Sequence, residues 1–157
     1  MNIQKIETAY FYNSSQRDIV ADISLLTENL YKDRNRILVY CKDEETVKII
    51  DDFLWAYKED KFIPHSKDKN EQSSVYPILI STEIDGAYKH NILLALNGVL
   101  IEEKDWQKFN KVYYFFDDQE NKEKENARLM WKSFSALKVV CKYWVSKENK
   151  WVLARSS

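Results

Sequence analysis

A row of basic side chains near the end of the chain has the spacing and residue types of a site for acidic ligands. Lys124, Arg128 and Lys132 recur every fourth residue, so on a helix they form one row. Trp131 lies at the edge of the apolar stripe of the same helix, and Ser135 lies beside the row. Tryptophan and arginine are the residues that dominate binding hot spots. The pattern predicts a site for acidic groups next to a hydrophobic anchor, although such rows are also typical of solvated helix faces.

Residues suited to catalysis or metal binding are scarce in this sequence. His65 and His90 are 25 residues apart, and neither lies in a motif typical of a metal site or of an activated nucleophile. Cys41 and Cys141 lie in separate apolar runs and form no CxxC pair. With only two glycines, the chain contains neither a Walker loop nor a GxGxxG fingerprint. We therefore expect no catalytic activity of its own, no metal and no cofactor.

The composition is that of one domain without a strong charge bias. The 157 residues, 45% of them hydrophobic, are enough for one buried core, so we expect a single domain over residues 1–157. The 24 basic and 25 acidic residues leave a net charge of -1, which excludes a general attraction to nucleic acid. No apolar run has the length of a signal peptide or of a membrane-spanning helix. Together with unpaired cysteines, this indicates a soluble cytoplasmic protein without membrane contact.

Strand-like and helix-like segments alternate along the chain. Apolar runs predict strands over residues 8–12, 36–41, 77–81, 91–96, 112–116 and 139–144. Helical spacing predicts helices over residues 19–30 after a cap at Asn13-Ser14-Ser15, from Glu44 onward, over 102–109 and over 119–138. The alternation predicts an α/β fold, a single three-layer domain whose mostly parallel, mixed sheet is flanked by helices. Its appearance would be Rossmann-like without a nucleotide loop.

The predicted helix over residues 119–138 must position the basic row. Ala127, Met130, Phe134 and Leu137 fall on one face, which we expect to pack on the sheet. The basic row then lies on the side away from that face. Acidic residues precede the helix and fill its first turn, where the positive helix N-terminus favours them.

A second aromatic group lies near the middle of the chain. If the helix that begins at Glu44 runs to Tyr57, Trp55 projects away from the buried side and could form an exposed patch with Phe62. If the helix ends at Leu54, both rings can fold back into the core. The sequence leaves both possibilities open.

Several short motifs occur in an order and at separations that together are hard to obtain by chance. The most specific are Leu54-Trp55 followed by Phe62-Ile63-Pro64-His65, and Ala127-Arg128 followed by Trp131-Lys132. In these motifs, and in Tyr10-Phe11-Tyr12, Pro77-Ile78-Leu79-Ile80 and Phe115-Phe116-Asp117, the chain resembles the chi subunit of bacterial DNA polymerase III. The resemblance covers essentially the whole chain. It implies a non-catalytic accessory subunit that links the clamp loader to single-stranded DNA-binding protein during DNA replication.

The resemblance also assigns ligands to the basic row. Its partner would be the acidic C-terminal tail of single-stranded DNA-binding protein, which ends in a phenylalanine. Arg128 would hold the terminal carboxylate, and Lys124 and Lys132 would meet the upstream acids. Trp131 would help wall the slot for the phenyl ring, and Ser135 belongs to the same set of tail-binding residues. Acidic residues at 117–118 could weaken this contact or orient the basic row.

The resemblance places the second aromatic group at another interface. Trp55 and Phe62 match positions that face psi, a further clamp-loader subunit, where apolar side chains would cover them. A helicase could compete for this psi-facing surface. Because the subunit would reach DNA through its protein partners, its contact with nucleic acid would be mainly indirect.

Two other classes of function remain open from the sequence. A direct binder of single-stranded nucleic acid would use lysine and arginine on phosphates and tryptophan on bases, against the near-zero net charge. An enzyme for a small molecule or nucleotide would use the carboxyl end of the sheet, against the missing glycine loop.

Overall fold

The computed structural model describes residues 6–56, 65–67, 76–84 and 89–157 of the chain. The strands found in these ranges are β1 Thr8–Asn13, β2 Ile37–Tyr40, β3 His65–Ser66, β4 Ile78–Ser81, β5 Ile92–Ala95, β6 Lys111–Phe116, β7 Val140–Lys147 and β8 Lys150–Ser156. The helices are α1 Ile19–Lys32, α2 Glu44–Ala56, α3 Glu103–Trp106 and α4 Asn121–Ala136. The predicted alternation of strands and helices is therefore confirmed.

All eight strands form one sheet in the order β3-β4-β2-β5-β6-β1-β7-β8. Every neighbouring pair is parallel except β7 and β8, which form an antiparallel hairpin at the edge. The inner strands are near-continuous apolar runs because helices cover both of their faces. The mostly parallel, mixed sheet matches the predicted fold class.

The side chains of β6 show how the sheet separates two cores. Tyr113 and Phe115 belong to the cluster that packs under α1 and α2. Tyr114 and Phe116 point the other way, into the cluster that packs under α3 and α4. Successive residues of a strand face opposite sides, so the fold is three-layered, with two of the described helices on each face.

The predicted N-cap of α1 is wrong by several residues, although the helix begins at Ile19 as predicted. Its N-cap is Asp18, whose side chain accepts a hydrogen bond from the backbone N–H of Ala21 at 3.2 Å. Asn13 still belongs to β1, and its Oδ1 accepts from the N–H of Ser15 at 3.1 Å in the turn that follows. Residue types that favour an N-cap occur both at residues 13–15 and at Asp18. Because β1 extends to Asn13, the helix can begin only after the turn that follows, and Asp18 becomes the cap.

Helix α4 packs on the sheet largely as predicted. Ala127, Met130 and Phe134 are buried. Leu137, predicted on the same stripe, is 44% exposed. The helix ends at Ala136, so Leu137 is its C-cap and leaves the helical direction.

Two strands were not predicted. The short edge strand β3 spans only His65–Ser66. Strand β8 pairs with β7 through a tight turn at Glu148 and Asn149, both with positive φ. Without a glycine at that turn, the sequence lacks the usual hairpin signal.

Candidate functional site

A cavity of about 550 Å³ lies beside α4, on the face of the sheet that α3 and α4 cover. Its apolar lining consists of Phe11, Phe116, Ala127, Trp131 and Tyr143. Its charged lining consists of Asp118, Lys124, Arg128, Lys132 and Arg155. The cavity therefore has an aromatic wall and four cations against one carboxylate.

The aromatic wall is built from β1, β6, β7 and α4. The Phe11 ring centroid lies 5.1 Å from that of Trp131, and the two rings are tilted by 58°. Phe116 and Tyr143 stack with centroids 5.9 Å apart. Ala127, one turn before Trp131, contributes little volume, which leaves room between these rings. The wall suits an aromatic or large aliphatic group.

The basic row forms the rim of this cavity. Lys124, Arg128 and Lys132 are exposed, and their spacing of four residues places them along one side of α4. None of them forms an ion pair with another residue in the described part of the chain. The described residues therefore leave these cations available to a ligand.

The acidic residues around the start of α4 accept hydrogen bonds from nearby backbone and side-chain groups. Asp117 Oδ1 accepts from the backbone N–H of Gln119 at 2.9 Å, and Asp118 Oδ1 accepts from Gln119 Nε2 at 3.1 Å. Glu123 Oε1 accepts from the backbone N–H of Asp117 at 3.1 Å. Burial is the main cause that raises the pKa of Glu123. These contacts hold the acids in the turn before α4, although Asp118 also reaches the cavity.

Four of the five residues predicted for this site line the cavity together. Ser135 does not: its Oγ lies 3.9 Å from Cys141 Sγ, on the turn of α4 beyond Trp131. The sequence did not single out Arg155 or Tyr143, which come from the β7–β8 hairpin. The apolar run Trp151-Val152-Leu153 is the signal in the sequence that could have indicated this further strand.

The structure describes only part of the predicted psi-facing surface. Helix α2 continues past Leu54 to Ala56, so Trp55 is helical. Val47, Ile50 and Leu54 form the buried side of α2, as expected. The side chain of Trp55 and the whole of Phe62 lie outside the described residues.

The described ranges lack the features of a metal site and of a membrane span. Nowhere in them do three or more His, Cys, Asp or Glu side chains cluster as a metal site would require. No helix in these ranges is long and apolar enough to cross a membrane.

Comparison with known proteins gives three findings. The model of the family described as "DNA polymerase III chi subunit, HolC" matches residues 6–141. A protein of Rickettsia prowazekii (strain Madrid E) named "Probable DNA polymerase III subunit chi" is 22% identical over 125 residues, which is 76% of each chain. The solved C-terminal domain of the DEAD-box protein Dbp5 superposes with a TM-score of 0.59, covering 90% of this chain and 92% of that one. At 12% identity, it shows similarity of fold alone.

Proposed function

This chain belongs to the family of DNA polymerase III chi subunits, accessory subunits in DNA replication, and we propose that it links the clamp loader to single-stranded DNA-binding protein. In this proposal, the cavity beside α4 binds the acidic C-terminal tail of that protein. One observation carries the proposal: four cations without an ion-pair partner among the described residues surround a cavity with an aromatic wall.

The chemistry of such a tail complements the cavity. A disordered acidic segment offers carboxylates to the rim, and a terminal phenylalanine offers a ring to the wall. At about 550 Å³, the cavity falls within the size range of small-ligand pockets and is ample for one aromatic side chain. The end of a peptide chain can therefore enter it while the upstream residues stay on the rim.

Each predicted residue has a distinct role in this proposal. The guanidinium of Arg128 binds the terminal carboxylate, because its planar fork can donate to both oxygens. Lys124 and Lys132, one turn to either side, contact upstream acidic side chains. Trp131 packs against the terminal ring of the peptide. The tilted contact between Trp131 and Phe11 leaves the Trp131 ring accessible from the cavity.

We further propose that α2 contributes the contact with psi. Helix α2 buries Val47, Ile50 and Leu54 and continues through Trp55, the residue to which this proposal assigns the contact. Phe62, beyond the helix, would complete the apolar surface. A Trp55→Ala variant should lose co-purification with psi and keep tail binding, and a helicase could compete at the same place. Retention of psi by Trp55→Ala would contradict the assignment.

In the same proposal, the subunit is cytoplasmic, performs no catalysis of its own, needs no cofactor and contacts DNA mainly through its protein partner. The near-zero net charge supports the indirect contact. A gel shift with a naked single-stranded oligonucleotide at moderate salt should show no complex. A stable complex would favour the direct nucleic-acid binder instead.

The decisive experiment is a titration of a tail peptide into the protein, followed by tryptophan emission. Arg128→Ala should weaken binding by about 1.5 to 3 kcal/mol, the range for a hydrogen bond to a charged group. Lys122→Ala is the matched control, because Lys122 is exposed on the same helix but does not line the cavity. A peptide whose final phenylalanine is replaced by alanine should also bind weakly. Equal affinities of wild-type protein and Arg128→Ala would overturn the proposed site.

A further inference from the structure

An irregularity in the β7–β8 hairpin turns one side chain of β8 toward the cavity. Trp144 pairs with Leu153, but the preceding residue of β7, Tyr143, pairs with Arg155. Ala154 is therefore the extra residue of a β-bulge. Cross-strand partners lie on the same face of a sheet, so the bulge decides which face Arg155 occupies.

The two partners in β7 show what the bulge changes. Trp144 stacks with Tyr12 on the face that α1 and α2 cover. Tyr143 stacks with Phe116 on the opposite face and lines the cavity. By regular alternation, Arg155 would follow Leu153 to the Trp144 side. The bulge instead places it on the α4 side with Tyr143.

On that side, Arg155 is held by an aromatic ring of α4. Its Cζ lies 5.4 Å from the centroid of the Trp131 ring, within the distance of a cation–π contact. Arg155 lines the cavity and, like the basic row, forms no ion pair with any residue in the described ranges. Stacking fixes a guanidinium and leaves its N–H groups free at the edge of the plane to donate to an anion.

We propose that Arg155 is a specificity-determining residue of the cavity: a stacked guanidinium, supplied by the C-terminal hairpin, that binds a carboxylate of the acidic peptide from the sheet side. Arg128 and its neighbours bind from the helix side, so the ligand is clamped between α4 and β8. This inference rests on the proposed function. Arg155 lies beyond residues 6–141, the part of the chain that the family model matches.

The test compares Arg155→Ala with Lys150→Ala in the full chain. Lys150 lies on the same strand and is exposed, and its replacement removes the same charge without touching the cavity lining. Arg155→Ala should weaken tail-peptide binding about tenfold, the effect of losing one charge-assisted hydrogen bond, and Lys150→Ala should not. Arg155→Lys should retain part of the affinity, because it keeps the charge but loses the planar stack.

A second readout separates recognition from a merely structural role. The dependence of the dissociation constant on salt should become shallower in Arg155→Ala, because one screened charge contact is gone. A variant with only a distorted hairpin would weaken binding without that change in slope. If Arg155→Ala fails to fold, Arg155→Gln, with a polar side chain of similar length, is measured in the same way.

The outcomes distinguish this inference from the function beneath it. If Arg128→Ala weakens binding and Arg155→Ala behaves like Lys150→Ala, Arg155 is not a recognition residue and the peptide site stands. An unchanged salt slope in Arg155→Ala also overturns the inference. If the wild-type protein does not bind the peptide, the proposed function and the inference fail together.

Discussion

Gly98 lies so close to Glu123 that a Cβ atom at position 98 would be 2.6 Å from the Glu123 Cβ and 2.8 Å from its Cα. Gly98 follows β5, and Glu123 is in the first turn of α4. The side-chain amide of Asn126 also donates to the Gly98 carbonyl at 2.9 Å. This contact fixes the start of α4 against the sheet, and with it Lys124, the first cation of the rim.

Replacing Gly98 by alanine should therefore destabilise the protein. Gly98 has φ of +56°, which L-residues rarely adopt, and the new methyl group would meet backbone and Cβ atoms that cannot rotate away. We expect a loss of about 2 to 4 kcal/mol in the free energy of unfolding, from backbone strain and overpacking together. Urea denaturation of Gly98→Ala and of the wild-type protein measures this difference in unfolding free energy.

Leu100→Ala is the control for this loop. Leu100 is 53% exposed two residues later, so its truncation should change the unfolding free energy by no more than about 0.5 kcal/mol. Equal denaturation midpoints for Gly98→Ala and Leu100→Ala would show that the loop yields to the added methyl group.

Glu123 should make the stability depend on pH in an unusual direction. Burial is the largest cause that raises its pKa above the ordinary value of 4.5, so the folded state binds the proton more tightly than the unfolded chain. Between the ordinary and the raised pKa, its contribution to stability falls as pH rises. Glu123→Gln should remove this decline and can still accept the Asp117 N–H bond, so its advantage over wild type should grow across that window.

The matched variant for that measurement is Glu125→Gln, which removes an exposed acid from the same helix. Urea midpoints of the three proteins are compared from about pH 4 to about pH 8, where carboxylates complete their titration. A parallel course of wild type and Glu123→Gln over this range would contradict the assigned role of Glu123.

The helical half of the cavity could be predicted because its determinants are local. Lys124, Arg128 and Lys132 share a side of any helix that contains them, and Trp131 follows at the seam whatever the rest of the fold does. Leu137 was misplaced because the sequence does not mark the end of this helix with a glycine. Ser135 is helical but lies one turn beyond Trp131, past the cavity lining.

The sheet half of the cavity could not be predicted in the same way. Arg155 reaches it only because β8 pairs with β7 and because a bulge at Ala154 shifts the alternation by one residue. Both depend on the partner strand, and a one-residue shift reverses every side chain that follows. A perfect strand prediction over residues 150–156 would have placed Arg155 on the wrong face.

Arg17 should be a strong stabiliser of the hairpin that carries β8. Its Nε donates to Asp22 Oδ2 at 2.8 Å, its terminal nitrogen donates to the Asn149 carbonyl at 3.0 Å, and its Cζ lies 4.6 Å from the Trp151 ring centroid. The side chains of Arg17 and Asp22 are only 11% and 15% exposed. Arg17→Ala should cost about 1.5 to 3 kcal/mol in unfolding free energy, because a poorly solvated carboxylate loses its charged partner.

Arg34→Ala removes an exposed arginine at the other end of α1 and serves as the comparison. Its effect should stay within about 0.5 kcal/mol, as for other exposed positions. Thermal unfolding of both variants, read by far-ultraviolet circular dichroism, tests the difference. If both variants melt at the same temperature, the contacts of Arg17 do not hold the hairpin.

Lys138 gives the opposite prediction to Gly98, because here the chain has a side chain where glycine is favoured. Lys138 has φ of 61°, its N–H donates to the Ser135 carbonyl at 3.0 Å, and the N–H of Val139 donates to the Phe134 carbonyl at 3.1 Å. These two bonds form a Schellman motif at the end of α4, whose left-handed position glycine occupies without steric cost. Glycine relieves the strain of the left-handed backbone but gives the unfolded chain more conformational freedom, which offsets part of the gain. We expect Lys138→Gly to raise the unfolding free energy by a net amount of about 0.5 to 1 kcal/mol.

Tail binding should not change in Lys138→Gly, because Lys138 does not line the cavity. Lys138→Ala separates backbone strain from the loss of a charge, since alanine keeps the strained conformation without the ammonium group. The urea midpoint should therefore rise for the glycine variant and stay near wild type for the alanine variant. A rise of the same size in both would mean that the charge, and not the left-handed backbone, limits stability at the end of α4.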